Sequence, residues 1–404
     1  MSTLLDDRLR RRLDALRDEG LGRALPPVER RDGVRYELGG RVVTGFCSND
    51  YLGLANHPRL RAAAHELPAA GATASRLVAG DLPEHRAAER ALAALVGMPD
   101  AVLFPSGFQL NVGVLPALID PDDAVFSDAL NHASLIDGLR LARARPTILP
   151  HRQAPPPPTG PTWWVTESIF SMDGDTADPE ALRAFVAAGG MLYLDEAHSL
   201  GLFAHGAGFA RAHGIVPALL MGGLGKSFGL AGAFAAGSTA VCTWLRTRAR
   251  SFVFSTGNAP VLALQARIAA ELVAGPDGDA RRARLWANAR RLAAELDLPP
   301  PVSPIFPICI GPNQLAVEIS RALLERGWHV QAIRPPTVPP GSARLRITVS
   351  ADHEEAQIRG FTADLRHLLQ KYGVALPSAP AASPGHLPDA SIQRSPPPVA
   401  AGNS

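Results

Sequence analysis

Between residues 100 and 237 short apolar runs return at intervals: "AVLF" (101–104), "DAVFSD" (123–128), "WWVTES" (163–168), "MLYLDE" (191–196), "LLMGG" (219–223) and "GAFAAG" (232–237). Runs that are apolar throughout, and do not alternate with polar residues, are the signature of strands buried on both faces. "PEHRAAERALAALVG" (83–97) and "PEALRAFVAAG" (179–189) instead space their apolar residues at helical intervals. The alternation predicts an α/β fold with a mostly parallel sheet wrapped by helices, in which ligands lie beyond the carboxyl ends of the strands.

The flanks have a different rhythm. Residues 4–18 alternate acids and arginines at helical spacing, and "RYELGGRVVTGF" (35–46) reads as two strands around a Gly-Gly turn. A long helical region, 260–297, leads to strand "PIFPICIG" (304–311), helix "NQLAVEISRALLERG" (313–327), strand "HVQAIRP" (329–335), strand "ARLRITVS" (343–350) and helix "HEEAQIRGFTADLRHLLQKYG" (353–373). The pattern predicts an N-terminal arm (1–45), a large domain (46–260), a smaller α+β domain (261–374) and a tail (375–404). The tail is rich in Pro, Ala and Ser without an apolar period, which predicts disorder. The proline run at 154–161 predicts a stiff surface connection.

Composition excludes more than it assigns. Lys+Arg (40) nearly balance Asp+Glu (38) for a net charge of +2, which removes the footprint of a nucleic-acid or membrane surface. Cys47, Cys242 and Cys309 are too far apart for a disulfide framework or a metal-binding pair. No metal is expected. The amino terminus lacks an apolar signal core and no apolar run reaches the roughly 18 residues of a membrane span, so a cytoplasmic enzyme is expected.

"DEAH" (195–198) and "GKS" (225–227) together suggest a phosphate-loop nucleotidase, but the pattern G-x-x-x-x-G-K-[ST] would need glycine at position 220, where Leu220 stands. The acidic motif also precedes the lysine motif.

A different chemistry fits these residues. Asp195 follows a buried strand at its carboxyl end, where a carboxylate must find a partner; one such partner is the protonated ring nitrogen of a flat heteroaromatic cofactor. His198 lies three residues on. Lys226 lies at the next strand-to-loop junction, in "MGGLGKSFGLAGA" (221–233), where glycines permit close approach and a desolvated amine can hold a carbonyl covalently. Taken singly, each has a plainer reading, such as a helix cap for Asp195, a structural histidine for His198 or a surface turn for Lys226. Together they fit pyridoxal 5'-phosphate (PLP).

With "SNDYLGL", "SGFQLN", "NHASLIDG", "VTESIFSMDGD", "LDEAHSLG", "LGKSFGLAGA" and "AIRPPTVPPGSARLRITVSADH" in this order, the chain resembles the PLP-dependent α-oxoamine synthases from about Leu16 to Gly373. The resemblance implies a fold-type-I, aminotransferase-like large domain and a homodimer with shared sites. It makes Lys226 the covalent attachment point and proton shuttle, Asp195 the partner of the pyridine nitrogen, His198 a contact to the phenolic oxygen and His132 the residue stacked on the ring. Gly107 and Phe108 would offer backbone N–H groups to the phosphate at a helix N-terminus. Ser171 would add a hydroxyl, and Ser255 and Thr256 would reach the phosphate of a neighbouring subunit. Where the family usually has a threonine whose hydroxyl meets the phosphate, this chain has Gly223, which implies looser cofactor binding.

Members of this family join an amino acid to an acyl thioester and release carbon dioxide. The resemblance makes Arg346 the holder of the amino-acid carboxylate, a role suited to a bidentate fork. "AIRPPTVP" is typical of the branch using L-alanine and a pimeloyl thioester, carried by coenzyme A or acyl carrier protein, with Arg334, Thr337 and Arg23 as further substrate contacts. Use of glycine or serine with another acyl group is the alternative.

Overall fold

The computed structural model describes residues 3–23, 25–66 and 70–376. The tail expectation for 377–404 lies outside the described residues. Helix α1 (Leu4–Asp18) begins with a capping box: the Thr3 hydroxyl accepts from the Asp6 N–H and the Asp6 carboxylate accepts from the Thr3 N–H. Strands β1 (Val28–Asp32), β2 (Arg35–Leu38) and β3 (Arg41–Gly45) form an antiparallel sheet, with Gly39 and Gly40 both at positive φ in the tight turn that glycine permits.

The chain continues through α2 (Pro58–Ala63), α3 (Pro83–Val96), β4 (Asp100–Phe104), α4 (Gly107–Leu118), β5 (Ala124–Asp128), α5 (Ala133–Leu141), β6 (Thr147–Leu149), β7 (Thr162–Glu167), α6 (Pro179–Ala187), β8 (Met191–Asp195), α7 (Phe209–Ala212), β9 (Leu219–Gly223) and β10 (Ala233–Gly237). These strands form one seven-stranded sheet in the order β4-β10-β9-β8-β7-β5-β6, in which β10 alone runs antiparallel to its neighbours. Successive residues of each strand feed opposite faces. Leu192 and Leu194 join one apolar cluster while Tyr193 joins another, and Leu220 lies opposite Leu219 and Met221 in the same way. Burial on both faces explains why these strands read as unbroken apolar runs.

Helices α8 (Thr239–Arg248), α9 (Arg250–Val253), α10 (Pro260–Ala274) and α11 (Pro276–Glu295) follow. The single helical region expected over 260–297 is broken at Gly275, with Pro276 opening the second helix where its missing N–H costs nothing. Beyond it, β11 (Ile305–Gly311), α12 (Asn313–Glu325), β12 (Trp328–His329), β13 (Gln331–Ile333), β14 (Ala343–Thr348) and α13 (Glu355–Lys371) complete the described chain. The one strand expected over 329–335 is two. Trp328 and His329 pair in parallel with Thr44 and Gly45, whereas Gln331 to Ile333 pair with β14 in a separate sheet of order β11-β14-β13. Fully buried Val330 marks the crossover. Strand β6 was not legible as an element.

Candidate active site

The carboxyl ends of β7, β8 and β9 place three ionisable groups side by side. Glu167 and Asp195 are register partners, one ending β7 and the other β8, and Lys226 follows β9 by three residues. Both acids are buried, yet they are solvated differently by the protein. Asp195 Oδ1 accepts the Ala197 N–H (2.9 Å) and Oδ2 accepts the Asn111 side-chain amide (3.0 Å); Asn111, from α4, is itself fixed by the Tyr193 hydroxyl (2.6 Å). Glu167 accepts the backbone N–H of His132 (2.6 Å), and burial together with the nearby Asp195 charge pushes its carboxyl well above the usual range. The Lys226 amine responds to both: burial lowers its pKa to about 8, the charges of Asp195 and Glu167 oppose that shift, and the Arg346 charge adds to it.

Two histidines frame the amine. His132 caps α5, its Nδ1 accepting from the Ser134 N–H (3.2 Å) and lying 2.8 Å from the Ser134 hydroxyl, while Asn111 donates to that hydroxyl (2.9 Å). With Nδ1 an acceptor, the neutral ring carries its hydrogen on Nε2. Burial lowers the His132 pKa, against the pull of Asp195. His198 is buried and held well below the usual imidazole range by burial and by the Lys226 and Arg346 charges. Its Nδ1 meets the Tyr51 hydroxyl at 2.8 Å, that hydroxyl donates to Asn49 Oδ1 (3.2 Å), and Arg346 Nη1 donates to the same oxygen (3.1 Å). A hydrogen-bonded chain thus links the arginine of β14 to the histidine after β8.

Beside these groups lies the N-terminus of α4. α4 opens at Gly107 and Phe108, whose N–H groups precede any intrahelical partner, and the Ser106 hydroxyl caps Gln109 (3.1 Å). A Cβ on Gly107 would stand 2.5 Å from Met221 Cε, and one on Gly223 would stand 3.1 Å from Ala197 Cβ. Ser227 Oγ is buried and has no hydrogen-bond partner among the described residues. A desolvated amine, an adjacent carboxylate and free helix-start N–H groups at neighbouring strand ends fit the aldehyde, the pyridine nitrogen and the phosphate of PLP.

The other expected residues are placed less uniformly. Arg346 is buried on β14 and its Nε donates to the Ser171 carbonyl, so Ser171 meets the arginine through its backbone. Ser255 and Thr256 lie in a loop whose Gly257 abuts Pro105, just before α4; the Ser255 hydroxyl donates to the Phe252 carbonyl (3.3 Å) and Thr256 is exposed. Arg23, Arg334 and Thr337 form a group of their own. Arg334 donates to the carbonyls of Gly20 and Gly22, the Arg23 charge lowers its pKa after burial has done so, and exposed Thr337 closes a turn on the Arg334 carbonyl (3.2 Å). A groove of about 400 Å³ beside them is lined by Arg17, Gln314, Arg321 and Arg334. Glu167, Asn111, Tyr51 and Asn49 are site residues the sequence reading did not single out. Glu167 carried the same signal as Asp195, an acid ending an apolar run.

The family model for aminotransferases of class I and II matches residues 41–365. The chain is 44% identical over 391 residues to an 8-amino-7-oxononanoate synthase from Anaeromyxobacter dehalogenans, covering 92% of this chain and 96% of that one. A solved serine palmitoyltransferase from S. paucimobilis, with PLP and myriocin bound, is similar with a TM-score of 0.84 at 26% identity over 93% of this chain and all of that one. An 8-amino-7-oxononanoate synthase structure from Francisella tularensis superposes with a TM-score of 0.69 at 25% identity, over 82% of this chain and 99% of that one. With these likenesses spanning nearly the whole chain, and with a lysine, an aspartate and a helix N-terminus at neighbouring strand ends, the chain belongs to the class I and II aminotransferase family and, within it, to the PLP-dependent α-oxoamine synthases.

Proposed function

We propose that this chain catalyses the decarboxylative condensation of L-alanine with a pimeloyl thioester, giving 8-amino-7-oxononanoate, carbon dioxide and a free thiol, the carbon-skeleton step of biotin synthesis. The observation that carries the reading is the Lys226 amine, desolvated to a pKa of about 8 beside Asp195 and Glu167. An amine poised there can be a nucleophile and then a proton carrier near neutral pH. PLP, when bound, supplies an aldehyde for Lys226 and a ring that takes up the electrons released at the alanine α-carbon.

The chain's own residues do the rest. Asp195 keeps a proton on the ring nitrogen, aided by the Asn111 and Ala197 bonds that orient it. Arg346 holds the alanine carboxylate in a position fixed by Asn49 and Ser171. Lys226 would take the α-proton, and the alanine α-carbon would form its bond to the thioester carbonyl carbon as the C–S bond breaks, the leaving thiolate taking a proton from solvent. His132, whose neutral ring carries its hydrogen on Nε2, would donate a hydrogen bond to the acyl oxygen; loss of the carboxylate as carbon dioxide leaves its electron pair at the α-carbon, to which Lys226 would return the proton.

The reading includes a cytoplasmic homodimer. No helix among the described residues is long and apolar enough to cross a membrane, the three cysteines are free, and α1 leaves Leu4, Leu5, Leu9, Leu13 and Leu16 exposed, a stripe that a second copy can cover. Carbon dioxide release measured with alanine, glycine and serine, each with pimeloyl-coenzyme A and pimeloyl-acyl carrier protein, tests it. Alanine-dependent release supports the reading; release only with glycine or serine moves the enzyme to another branch of the family.

A further inference from the structure

His151, just after β6, stands between two carboxylates that belong to different loops of the site. Its Nδ1 is 3.0 Å from Asp128 Oδ1 and its Nε2 is 2.9 Å from Asp175 Oδ2. A neutral imidazole has one N–H and one lone pair. It can donate to one acid only, and its lone pair would then face the other, so with both acids ionised this geometry calls for imidazolium. The ring makes a T-shaped contact with Phe170, centroids 4.4 Å apart. Two other charged groups face the pair: Arg152, with Nη1 3.8 Å from Asp175 Oδ2 and its backbone N–H donating to Asp128 Oδ2 (2.7 Å), and Glu167, which feels the charge of Asp128.

Each acid is tied to a segment that shapes the site. Asp128 Oδ1 also accepts the Leu130 N–H (2.7 Å), bracing the turn that delivers His132. Asp175 ends the 171–175 loop, which closes on itself through Phe170 and Asp175 (3.0 Å), gives its Ser171 carbonyl to Arg346 and its Asp173 carboxylate to Arg344.

We propose that His151 is a positioning residue, a cationic clamp between the His132 turn and the Ser171–Asp175 loop, and that it sets how well Arg346 receives the substrate carboxylate. The proposal rests on the alanine-condensing reading above. Burial works against a charged ring, but the hydrogen bonds and charges of Asp128 and Asp175 outweigh it and raise the His151 pKa above the usual imidazole value. The clamp is therefore complete below that pKa and is lost as pH rises through it.

Wild type, His151→Gln and Asp175→Asn holoenzymes test this. In Asp175→Asn the amide N–H can donate to a neutral ring at Nε2, so the clamp no longer needs the proton. The KM for alanine in wild type should rise as His151, followed by its ring 15N shifts, loses its proton, with kcat changed less. His151→Gln should show a KM raised about tenfold already at low pH, the loss of one hydrogen bond to a charged group. Asp175→Asn should keep a low KM with no rise over that interval. The other ionisable groups of the site are common to wild type and Asp175→Asn, so the difference between their profiles isolates His151. Parallel KM profiles in wild type and Asp175→Asn, or a neutral His151 ring at about pH 6, would overturn the proposal; that pair decides it even if His151→Gln does not fold. If wild type condenses alanine with neither pimeloyl thioester, the functional reading has failed. The clamp is then judged by amide hydrogen exchange in 129–132 and 171–175, which should loosen above the His151 pKa in wild type and not in Asp175→Asn; equal behaviour of the two would refute it.

Discussion

At the ends of β7, β8 and β9 the protonation of Glu167 and Lys226 follows from burial and from the charges beside them, whereas on β14 Arg346 and Arg344 act through the fixed fork of the guanidinium. The first region is buried and gains its reactivity from that burial: without desolvation the Lys226 amine would be protonated and inert at neutral pH. The second is also enclosed, yet it works by geometry, through bonds from Arg346 to Asn49 and Ser171 and from Arg344 to Asp173. The pair teaches that neighbouring regions can differ in kind, one defined by how burial sets protonation and the other by fixed hydrogen-bond geometry.

Removing a partner from each region separates the two. Asp195→Asn keeps the shape but cannot hold a ring proton, so kcat should fall by about 10²–10⁴, read as carbon dioxide release at saturating alanine; a near-normal kcat would show that the ring nitrogen is served by another group. Arg346→Ala should act on the other side, raising the KM for alanine about 10–100-fold, the loss of charged hydrogen bonds worth about 1.5–3 kcal/mol, with a smaller change in kcat. Equal losses in both parameters would place Arg346 in the chemistry.

Acidity acts directly on the amine of the first region and reaches the second only through His151. The neutral amine is the nucleophile, so covalent attachment of PLP to the apoprotein should speed up about tenfold per pH unit on approach to pH 8 and level off above it, following the Lys226 pKa of about 8. A rate still climbing well past that value would mean that the amine is not desolvated. The smallest effect concerns Gly223. A threonine there could regain a phosphate hydrogen bond, but its Cβ would stand 3.1 Å from Ala197 Cβ. Gly223→Thr alone should therefore change the PLP dissociation constant only about threefold, whereas pairing it with Ala197→Gly should tighten binding about tenfold. No tightening in the double variant would mean that the hydroxyl does not reach the phosphate.

What the sequence revealed follows from how local each signal is. The buried strands announced themselves because both faces are covered, and Asp195 and Lys226 stood out as polar groups at the ends of such runs. Glu167 ends "WWVTE" in the same way and could have been read by the same rule. Asn111 could not: it is the fifth residue of "GFQLN", and only the docking of α4 onto the sheet brings it to Asp195. The break at Val330, where the chain passes from one sheet to another, was equally hidden, because two short strands in succession carry the hydrophobic pattern of one long strand. The arginines after Gly20 and in "AIRPP" were found by resemblance, and folding gathers Arg23 and Arg334 beside the Gly20–Gly22 carbonyls.

The covalent role of Lys226 is open to one direct reading, because the chain has only two lysines, Lys226 and the exposed Lys371. Borohydride reduction of the PLP-loaded protein followed by peptide mass mapping should find the phosphopyridoxyl mass on the Lys226 peptide and leave the Lys371 peptide unlabelled. Label on Lys371 alone, or on neither, would contradict the account.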